Sequence, residues 1–480
     1  MSASSRVRLR LHGTLRAETG LHVGGGRATA EADLALAEDG QGRLYIPGTS
    51  LAGALRAWTA TRLDAAQTAA LWGEAVDGDG SASQVWVADG LVLSDGPRPV
   101  IRDGVGIDRW TGAAATRVKY TQAVLPRGTR IDLDLDVPES ASAWLGALVA
   151  ALQAAGIPLG AGRGGGLGRA RLEGPLEVWR TDRGTRAGMI ETLRDGGQRV
   201  AIEGLGTLPD PAAATLAAEV AWSSELPLLV GAGRGGLGID ALPLTTPVGD
   251  GMVAFLLPGR SWKGALRAHA ERVIRTIVDG PNPRALEFAQ QVDVPLVRAL
   301  FGSPQRRGAL QCRDCCSLAR IPADLWRQIE DAGSLREAEA HLRRVAGLAA
   351  VFPAMHVAID RWTGGAADHR LYSALELHGV AWEPLRLDCD TAWLTEPREA
   401  ALALLFLLLQ DLGEGRIALG GGATRGHGAV RASRITVTGH GLSGLADPLG
   451  WAPDAGLPPG LRDALGPAWA AWCATGGGGA

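Results

Sequence analysis

Val7 to Leu15 alternates apolar and polar residues, and Ile131-Asp-Leu-Asp-Leu-Asp-Val137 does so without a break. A period of two puts alternate side chains on one face, so both segments predict half-buried strands. Between them, Ser50 is placed to cap a helix whose Leu51, Ala54, Leu55 and Trp58 share one face. Val85 to Leu93 predicts a strand, Ala141 to Ala155 a second helix and Ala170 to Val178 a last strand. The order is β-α-β-β-α-β, an α+β fold of ferredoxin-like type. A long hairpin around residues 100–127 interrupts it.

The same pattern is then written again. Tyr45-Ile-Pro-Gly-Thr-Ser-Leu-Ala-Gly-Ala-Leu-Arg56 returns as Leu256-Leu-Pro-Gly-Arg-Ser-Trp-Lys-Gly-Ala-Leu-Arg267. Gly106-Ile-Asp-Arg-Trp-Thr-Gly-Ala-Ala114 returns as Ala358-Ile-Asp-Arg-Trp-Thr-Gly-Gly-Ala366. Leu159-Gly-Ala-Gly-Arg-Gly-Gly-Gly-Leu-Gly168 returns as Leu419-Gly-Gly-Gly-Ala-Thr-Arg-Gly-His-Gly428. Leu71-Trp-Gly73 and Leu300-Phe-Gly302 form a weaker fourth pair. Matches in one order mean a tandem duplication. The predicted domains are 1–181 and 218–440, each with a thumb-like hairpin, joined by a linker over 182–217 and followed by a Pro/Gly-rich tail over 441–480. Pro47 and Pro258 are 211 residues apart, and Asp108 and Asp360 are 252 apart. The second copy therefore carries 41 extra residues, which predicts a helical insertion at about 270–350.

Composition sets limits on what the duplicated module can be. Of 480 residues, 46% are apolar and 21% charged, a globular balance that excludes a disordered or fibrous chain. No apolar run reaches membrane-spanning length; Ala401 to Leu409 is the best and reads as a buried helix. The first residues lack the apolar core of a signal peptide, and five cysteines make no disulfide framework, so the expectation is a cytoplasmic chain. Cys312-Arg-Asp-Cys315 has zinc-like spacing without a second ligand pair, leaving buried thiols as the stronger reading over zinc. The net charge of −3 speaks against a general nucleic-acid coat. Yet Lys119 and Lys263 are the sole lysines among 48 basic residues, and residues 101–130 carry six positive and two negative charges. Arginine forks suit phosphate, and binding follows local patches rather than the mean.

These motifs carry a family resemblance. The matching features are Gly20-Leu-His-Val-Gly-Gly25, Ile46-Pro-Gly-Thr-Ser50, the Ile-Asp-Arg-Trp-Thr hairpin and the glycine-rich loop after the second helix. Copy two matches through Leu228-Leu-Val-Gly231, Leu257-Pro-Gly-Arg-Ser261, Ile359-Asp-Arg-Trp-Thr363 and Gly420 to Gly428. Each copy resembles the RAMP backbone subunit of type III CRISPR effector complexes, and the fused pair is most similar to type III-D-like systems. The resemblance implies a subunit that holds a CRISPR guide RNA, with each hairpin displacing a base along the duplex. It implies other RAMP subunits, a large polymerase-like subunit and a small subunit as partners, and no membrane. It further implies endoribonuclease action on complementary target RNA beside each displaced base. The acidic residue of that chemistry falls on Asp33 in copy one and Asp240 in copy two. The alternative is the same scaffold without catalysis.

Elementary chemistry fits the implied role. RNA is cut by its own 2′-hydroxyl when attacking oxygen, phosphorus and leaving oxygen come into line, so the protein mainly positions and stabilises charge. One carboxylate suffices to help hold Mg²⁺ (or Mn²⁺), whereas an aspartate near its ordinary pKa is a feeble general base at neutral pH. Asp33 and Asp240 are thus expected as metal ligands. Gly160-Ala-Gly-Arg-Gly-Gly165 satisfies a dinucleotide-binding pattern, but a helix precedes it and a strand follows, the reverse of that context. A phosphate cradle remains, with Arg163, Arg169 and Arg171 in copy one and Arg425 and His427 in copy two.

The helices opening near Ser50 and Ser261 offer a second anion site, flanked by Arg56, Arg260, Lys263 and Arg267. On the hairpins, Arg109, Trp110, Arg361 and Trp362 are candidates for RNA contact. The indoles either stack on a base or pack the hairpin onto the domain body. His22 stands where copy two has Leu229, so it reads as a contact or packing residue and not as a catalytic one. No histidine recurs in both copies, which disfavours acid–base processing of guide precursors.

Overall fold

The computed structural model describes residues 6–26, 28–75, 80–209, 215–344, 351–394 and 397–475. It is a mixed α/β chain with antiparallel sheets, and it divides into two compact units. Met1–Ile101, Gln122–Arg163 and Leu167–Ala212 form the first; Arg102–Thr121, Gly164–Gly166 and Ala213–Ala480 form the second.

The first unit's sheet uses β1 (Val7–Ala17), β2 (Trp86–Val87), β5 (Arg130–Pro138), β6 (Arg169–Asp182) and β7 (Gln198–Arg199). Their spatial order is β7-β6-β1-β5-β2. The alternation read from the sequence sets the register of the central pair: Leu9, Leu11 and Leu15 stand opposite Val137, Leu135 and Ile131. All six are buried. The opposite face carries the charges, where Arg10 Nε donates to Asp134 Oδ1 at 3.0 Å and Arg8 pairs with Asp136.

Helices α1 (Gly48–Thr59) and α2 (Ser142–Ala154) cover the apolar face with Leu51, Leu55, Trp144 and Leu148. One hydroxyl organises their contact. Thr59 Oγ1 donates to Leu55 O at 2.8 Å and accepts the indole N–H groups of Trp72 and Trp144, both at 2.9 Å. The predicted linker region folds in part: α3 (Arg186–Asp195) follows β6, and β7 pairs with β6.

The first hairpin is β3 (Val100–Ile107) with β4 (Ala114–Val124), a two-stranded ribbon. Its segment Arg102–Thr121 belongs to the second unit.

The second unit's main sheet contains β8 (Thr215–Ser224), β9 (Leu310–Cys312), β12 (Leu385–Asp390), β13 (Val430–Thr438) and β14 (Leu449–Trp451), in the order β9-β12-β8-β13-β14. Its four counterparts of the first sheet keep the same neighbours. The second hairpin is β10 (Val351–Ile359) with β11 (Ala366–Leu377). Helix α4 (Gly259–Ile277) inserts Trp262, Leu266, Ala270 and Ile274 into the core, and the short α5 (Phe288–Gln291) follows in the insertion. Residues 345–350 of that insertion lie outside the described residues.

The apolar run 401–409 lies in helix α6 (Arg398–Gly413), which is buried along most of its length. Gln410 within it is satisfied: its Oε1 accepts from Trp451 Nε1 at 2.9 Å and its Nε2 donates to Pro453 O at 2.7 Å. In the tail, α7 (Pro459–Ala474) adds Leu461, Leu465 and Trp472 to the core. The closing run 476–480 lies outside the described residues. Among them, no helix is long and apolar enough to cross a membrane.

Candidate nucleic-acid interface

Both glycine-rich loops are tied to the loop after the first strand of their own copy by the same two bonds. Ala161 N donates to His22 O at 2.9 Å and Gly168 N to Gly20 O at 2.8 Å; Gly421 N donates to Leu229 O and Gly428 N to Pro227 O, each at 2.8 Å. Leu159 N and Leu419 N close the loops on Gly168 O and Gly428 O at 2.9 Å. Glycine is required at Gly160 and Gly420, which both have a φ of 79°. A Cβ there would stand 2.5 Å from His22 O or 2.6 Å from Leu229 O.

This lattice places the acidic candidates. Leu34 bridges Gln122 in parallel, and Ala241 bridges Ala374 in the same sense. Ala123 N donates to Leu34 O at 2.9 Å, as Leu375 N does to Ala241 O at 3.0 Å. Asp33 and Asp240 immediately precede these bridged residues, and both are exposed. In the second unit Asp240 Oδ2 accepts Ser373 N at 2.7 Å and Ser373 Oγ at 2.9 Å, while Asp240 N donates to Ser373 Oγ at 3.0 Å. The backbone bond from Ser373, followed by its hydroxyl, holds the Asp240 carboxyl below its ordinary pKa. Thr121 stands before Gln122 as Ser373 stands before Ala374, so a hydroxyl residue occupies the same register position in both copies.

A single carboxylate fits a divalent ion only if other ligands come from RNA and water. Ser373 engages one oxygen of Asp240 and leaves Oδ1 for a cation. Among the described residues, no three His, Cys, Asp or Glu converge to hold a metal unaided. Cys312, Cys315, Cys316 and Cys389 are buried, and burial pushes the Cys312 and Cys389 thiols up to about 12.

The helix openings differ from the expectation. Pro47, not Ser50, is the N-cap of α1, and Ser50 N donates back to Pro47 O at 2.8 Å. Helix α4 is likewise capped by Pro258, with Ser261 N on Pro258 O at 2.9 Å. The first free N–H of each helix already has a carboxylate. Gly48 N donates to Asp89 Oδ1 at 2.6 Å and Gly259 N to Asp314 Oδ1 at 2.8 Å. An anion from the protein itself thus sits where phosphate was expected.

Several predicted cations are committed within the protein. Lys263 is half-buried, its Nζ donates to Leu310 O at 2.7 Å, and desolvation pushes its ammonium below the ordinary lysine range. Arg260 Nη1 meets Tyr120 Oη at 3.3 Å, and Arg267 Nε pairs with Glu271 Oε1 at 2.7 Å. Arg109 Nε pairs with the other oxygen of that fully buried glutamate at 2.5 Å. Arg169 Nη1 donates to Ala155 O at 2.7 Å, and Arg163 lies in the short helical turn 163–165. His22 is 5% exposed, and its Nδ1 hydrogen-bonds Ala123 O at 2.8 Å.

Others face solvent. Arg56 and Arg361 are exposed, and Trp362 is 96% exposed against 53% for Trp110, which lies 5.8 Å from the Arg284 guanidinium. Arg425 bonds Tyr372 Oη and lies over its ring. His427 Nε2 stands 3.5 Å from Glu376 Oε1, while its buried Nδ1 has no hydrogen-bond partner among the described residues.

The sequence profile of the RAMP superfamily matches residues 14–171 and 226–431, once per copy of the repeat and over most of the chain. The chain belongs to the RAMP superfamily. No curated protein matches it. Among solved structures, it is similar to a chain in the cryo-EM structure of the type III-B Cmr-beta bound to cognate target RNA. Identity is 14% and the TM-score 0.30, over 36% of this chain and 62% of that one.

The RAMP repeats also contain residues that sequence reasoning passed over. Thr121 and Ser373 lie 252 residues apart, the spacing already found for Asp108 and Asp360, so their recurrence was there to be read. Asp89 and Asp314 carried no such signal, because each reaches its helix from a separate strand end. Glu376 was also missed. It is buried and lies 2.7 Å from His356 Nε2 and 3.3 Å from His378 Nε2.

Proposed function

We propose that this RAMP protein is a guide-RNA-holding backbone subunit of a type III CRISPR ribonucleoprotein, of the III-D-like tandem kind. Each copy of the repeat acts as one ferredoxin-like module with its thumb hairpin; the shared strand order supports that reading. The subunit cleaves target RNA paired with the guide at two places, with Asp33 and Asp240 each helping to hold Mg²⁺ or Mn²⁺ beside a displaced nucleotide. The bound metal supplies charge stabilisation for 2′-hydroxyl attack. The observation that carries the reading is the recurrence of an exposed aspartate, before the same parallel bridge, at the base of both hairpins. The other effector subunits and complementary RNA complete the assembly.

The test uses the assembled complex with complementary RNA and Mg²⁺. Asp33→Ala and Asp240→Ala should each remove one cut, and the double variant both. An unchanged cleavage ladder in the double variant refutes cleavage by these centres.

A second reading, a scaffold without catalysis, is favoured by the reciprocal bonding of Asp240 with Ser373, which suits an anchor for the hairpin. Asp240→Asn separates the two. It keeps an acceptor for Ser373 but loses the charge, so guide binding persists in either case while cleavage is lost only under the first.

A further inference from the structure

The two copies share a plan and differ in what they attach to it. The tip of the first hairpin, residues 107–112, is seated on Glu271 and on Gln291, whose Oε1 accepts Arg109 N at 2.9 Å. In the second copy there is an addition at the loop that carries Asp240. Asp89 and Asp314 are 225 residues apart, against 252 for Asp108 and Asp360, so 27 of the extra residues fall between these pairs. The helices Ala323–Glu330 and Leu335–Leu342 lie in that stretch.

The junction of these helices braces the turn 235–240. Gly236 N donates to Ile239 O at 2.7 Å, and Leu237 N donates to Glu330 O at 2.9 Å. The backbones meet too closely for side chains: a Cβ at Gly236 would run into Glu330 O, and one at Gly238 into Gly333 O. At the neck of the turn, a Cβ at Gly235 would stand 2.9 Å from Asp240 O. Ile239 and Leu242 are buried and hold the loop to the core. Glu330 is anchored as well: its Oε1 accepts Trp326 Nε1 at 3.0 Å, and Trp326 is buried edge-on against Phe255. Asp240 and the apex of the turn therefore keep a fixed relation. The bonds from Ser373 extend it to the base of the second hairpin.

That apex is Leu237, which is 80% exposed. Scattered surface leucines are ordinary. This one is held out on a braced turn three residues before Asp240, with the exposed Arg234 on the same loop, its Nη2 3.4 Å from Glu330 Oε1. By the 207-residue spacing of Asp33 and Asp240, the counterpart of Leu237 in the first copy is Ala30. Apolar side chains pushed between base steps unstack them, and leucine is among those used.

We propose that Leu237 is a positioning residue for the target strand. It wedges against the base beside the displaced nucleotide, so that the stack cannot close and the scissile phosphate stays turned out at Asp240. The inference rests on the reading of Asp240 as a cleavage centre. It makes the two centres unequal, because the first has a methyl group where the second has a wedge. In-line attack depends steeply on placement, so losing the wedge should slow the second cut and spare the first.

The test uses the assembled complex with complementary RNA, and Asp240→Ala identifies which cut belongs to the second centre. Leu237→Ala should slow that cut in single turnover by on the order of tenfold, leave the other unchanged, and be rescued by Leu237→Met. A second readout does not depend on cleavage. Targets carry a 2′-deoxy nucleotide at each cut position, which removes the attacking hydroxyl, and 2-aminopurine as the neighbouring base. Stacking quenches this base, so it should be bright beside the second position in wild type and Leu237→Met, and dimmer in Leu237→Ala. A second-cut rate or a brightness that Leu237→Ala leaves unchanged overturns the proposal, as does an equal loss at both cuts. Loss of a protein subunit from the Leu237→Ala complex, seen by native mass spectrometry, would make Leu237 a protein contact and overturn it too. An Asp240→Ala complex with an unchanged ladder sinks the reading of that centre instead, and the brightness alone then decides whether Leu237 is a wedge.

Discussion

Ser373 bonds Asp240 three times: its amide and hydroxyl both reach Oδ2, and its hydroxyl receives the Asp240 amide at 3.0 Å. The carboxylate and the base of the second hairpin are thus fixed together, so whatever moves one moves the other. Ser373→Ala removes the hydroxyl arm while leaving the backbone bond. The expected outcome is faster amide exchange at Asp240 and an Asp240 pKa closer to the ordinary value. NMR titration of the wild type and Ser373→Ala, with hydrogen exchange at the Asp240 amide, checks both expectations.

The depressed Asp240 pKa gives a pH dependence with a definite sign. A carboxyl whose folded pKa lies below its unfolded value adds stability that is present above the unfolded value and lost as pH falls through the folded one. Protonation would remove the charge that favours the bonds from Ser373. The protection of Ser373 N, its hydrogen exchange divided by the intrinsic rate at each pH, should therefore be flat through neutral pH and fall only below the ordinary aspartate range. A transition near neutrality would contradict this.

The two tips predict unequal costs for the same substitution. Arg109→Ala leaves the fully buried Glu271 with Arg267 as its remaining cationic partner, and breaking a buried pair in this way costs about 3 kcal/mol. Arg361→Ala removes an exposed side chain and should cost less than about 0.5 kcal/mol. Denaturant unfolding of both variants checks the contrast. Similar losses would mean that the first tip is not held by Glu271.

Much of the fold was legible because its signals are local. The strict alternation of residues 131–137 fixed which leucines face the core, and the repeated tip motif located both hairpins. The seat of the first tip was not legible. Glu271 and Gln291 sit more than 160 residues after Arg109 in the chain, and no local pattern marks a glutamate as buried. The helix openings misled for a related reason. Pro-Gly-x-Ser suggests a serine cap, but the preceding proline takes the cap position and Asp89 or Asp314 arrives from elsewhere to satisfy the first N–H. The helix over 459–474 was hidden by composition, because its opening prolines and glycine mask the spacing of Leu461, Leu465 and Trp472.

Thr59 makes a sharp test of the first unit's core. Its Oγ1 is the shared acceptor for the Trp72 and Trp144 indoles, and the site is sealed from solvent. Thr59→Val keeps the volume but strands two buried N–H donors, each costing about 1–3 kcal/mol. Thr59→Ser keeps the acceptor and loses only a methyl, about 1 kcal/mol. Thermal unfolding should rank wild type, Ser, then Val, and indole fluorescence should report the change at Val.

Asp314 joins two roles that can be pulled apart. Its Oδ1 accepts Gly259 N at 2.8 Å at the head of α4, and its Oδ2 pairs with Arg102 at 2.6 Å. Both side chains are largely buried, so neither bond is diluted by solvent. Asp314→Asn retains the cap acceptor but removes the charge opposite Arg102; Asp314→Ala removes both. The Asn variant should lose about 3 kcal/mol, the cost of leaving a buried arginine unpaired. The Ala variant should lose about 1 kcal/mol more, the value of a helix cap. Because a carboxylate already satisfies this helix opening, neither change should weaken guide-RNA binding by removing a phosphate contact. A loss of RNA affinity in folded Asp314→Asn, measured by filter binding at fixed salt, would instead place RNA at the Arg102 side of the pair.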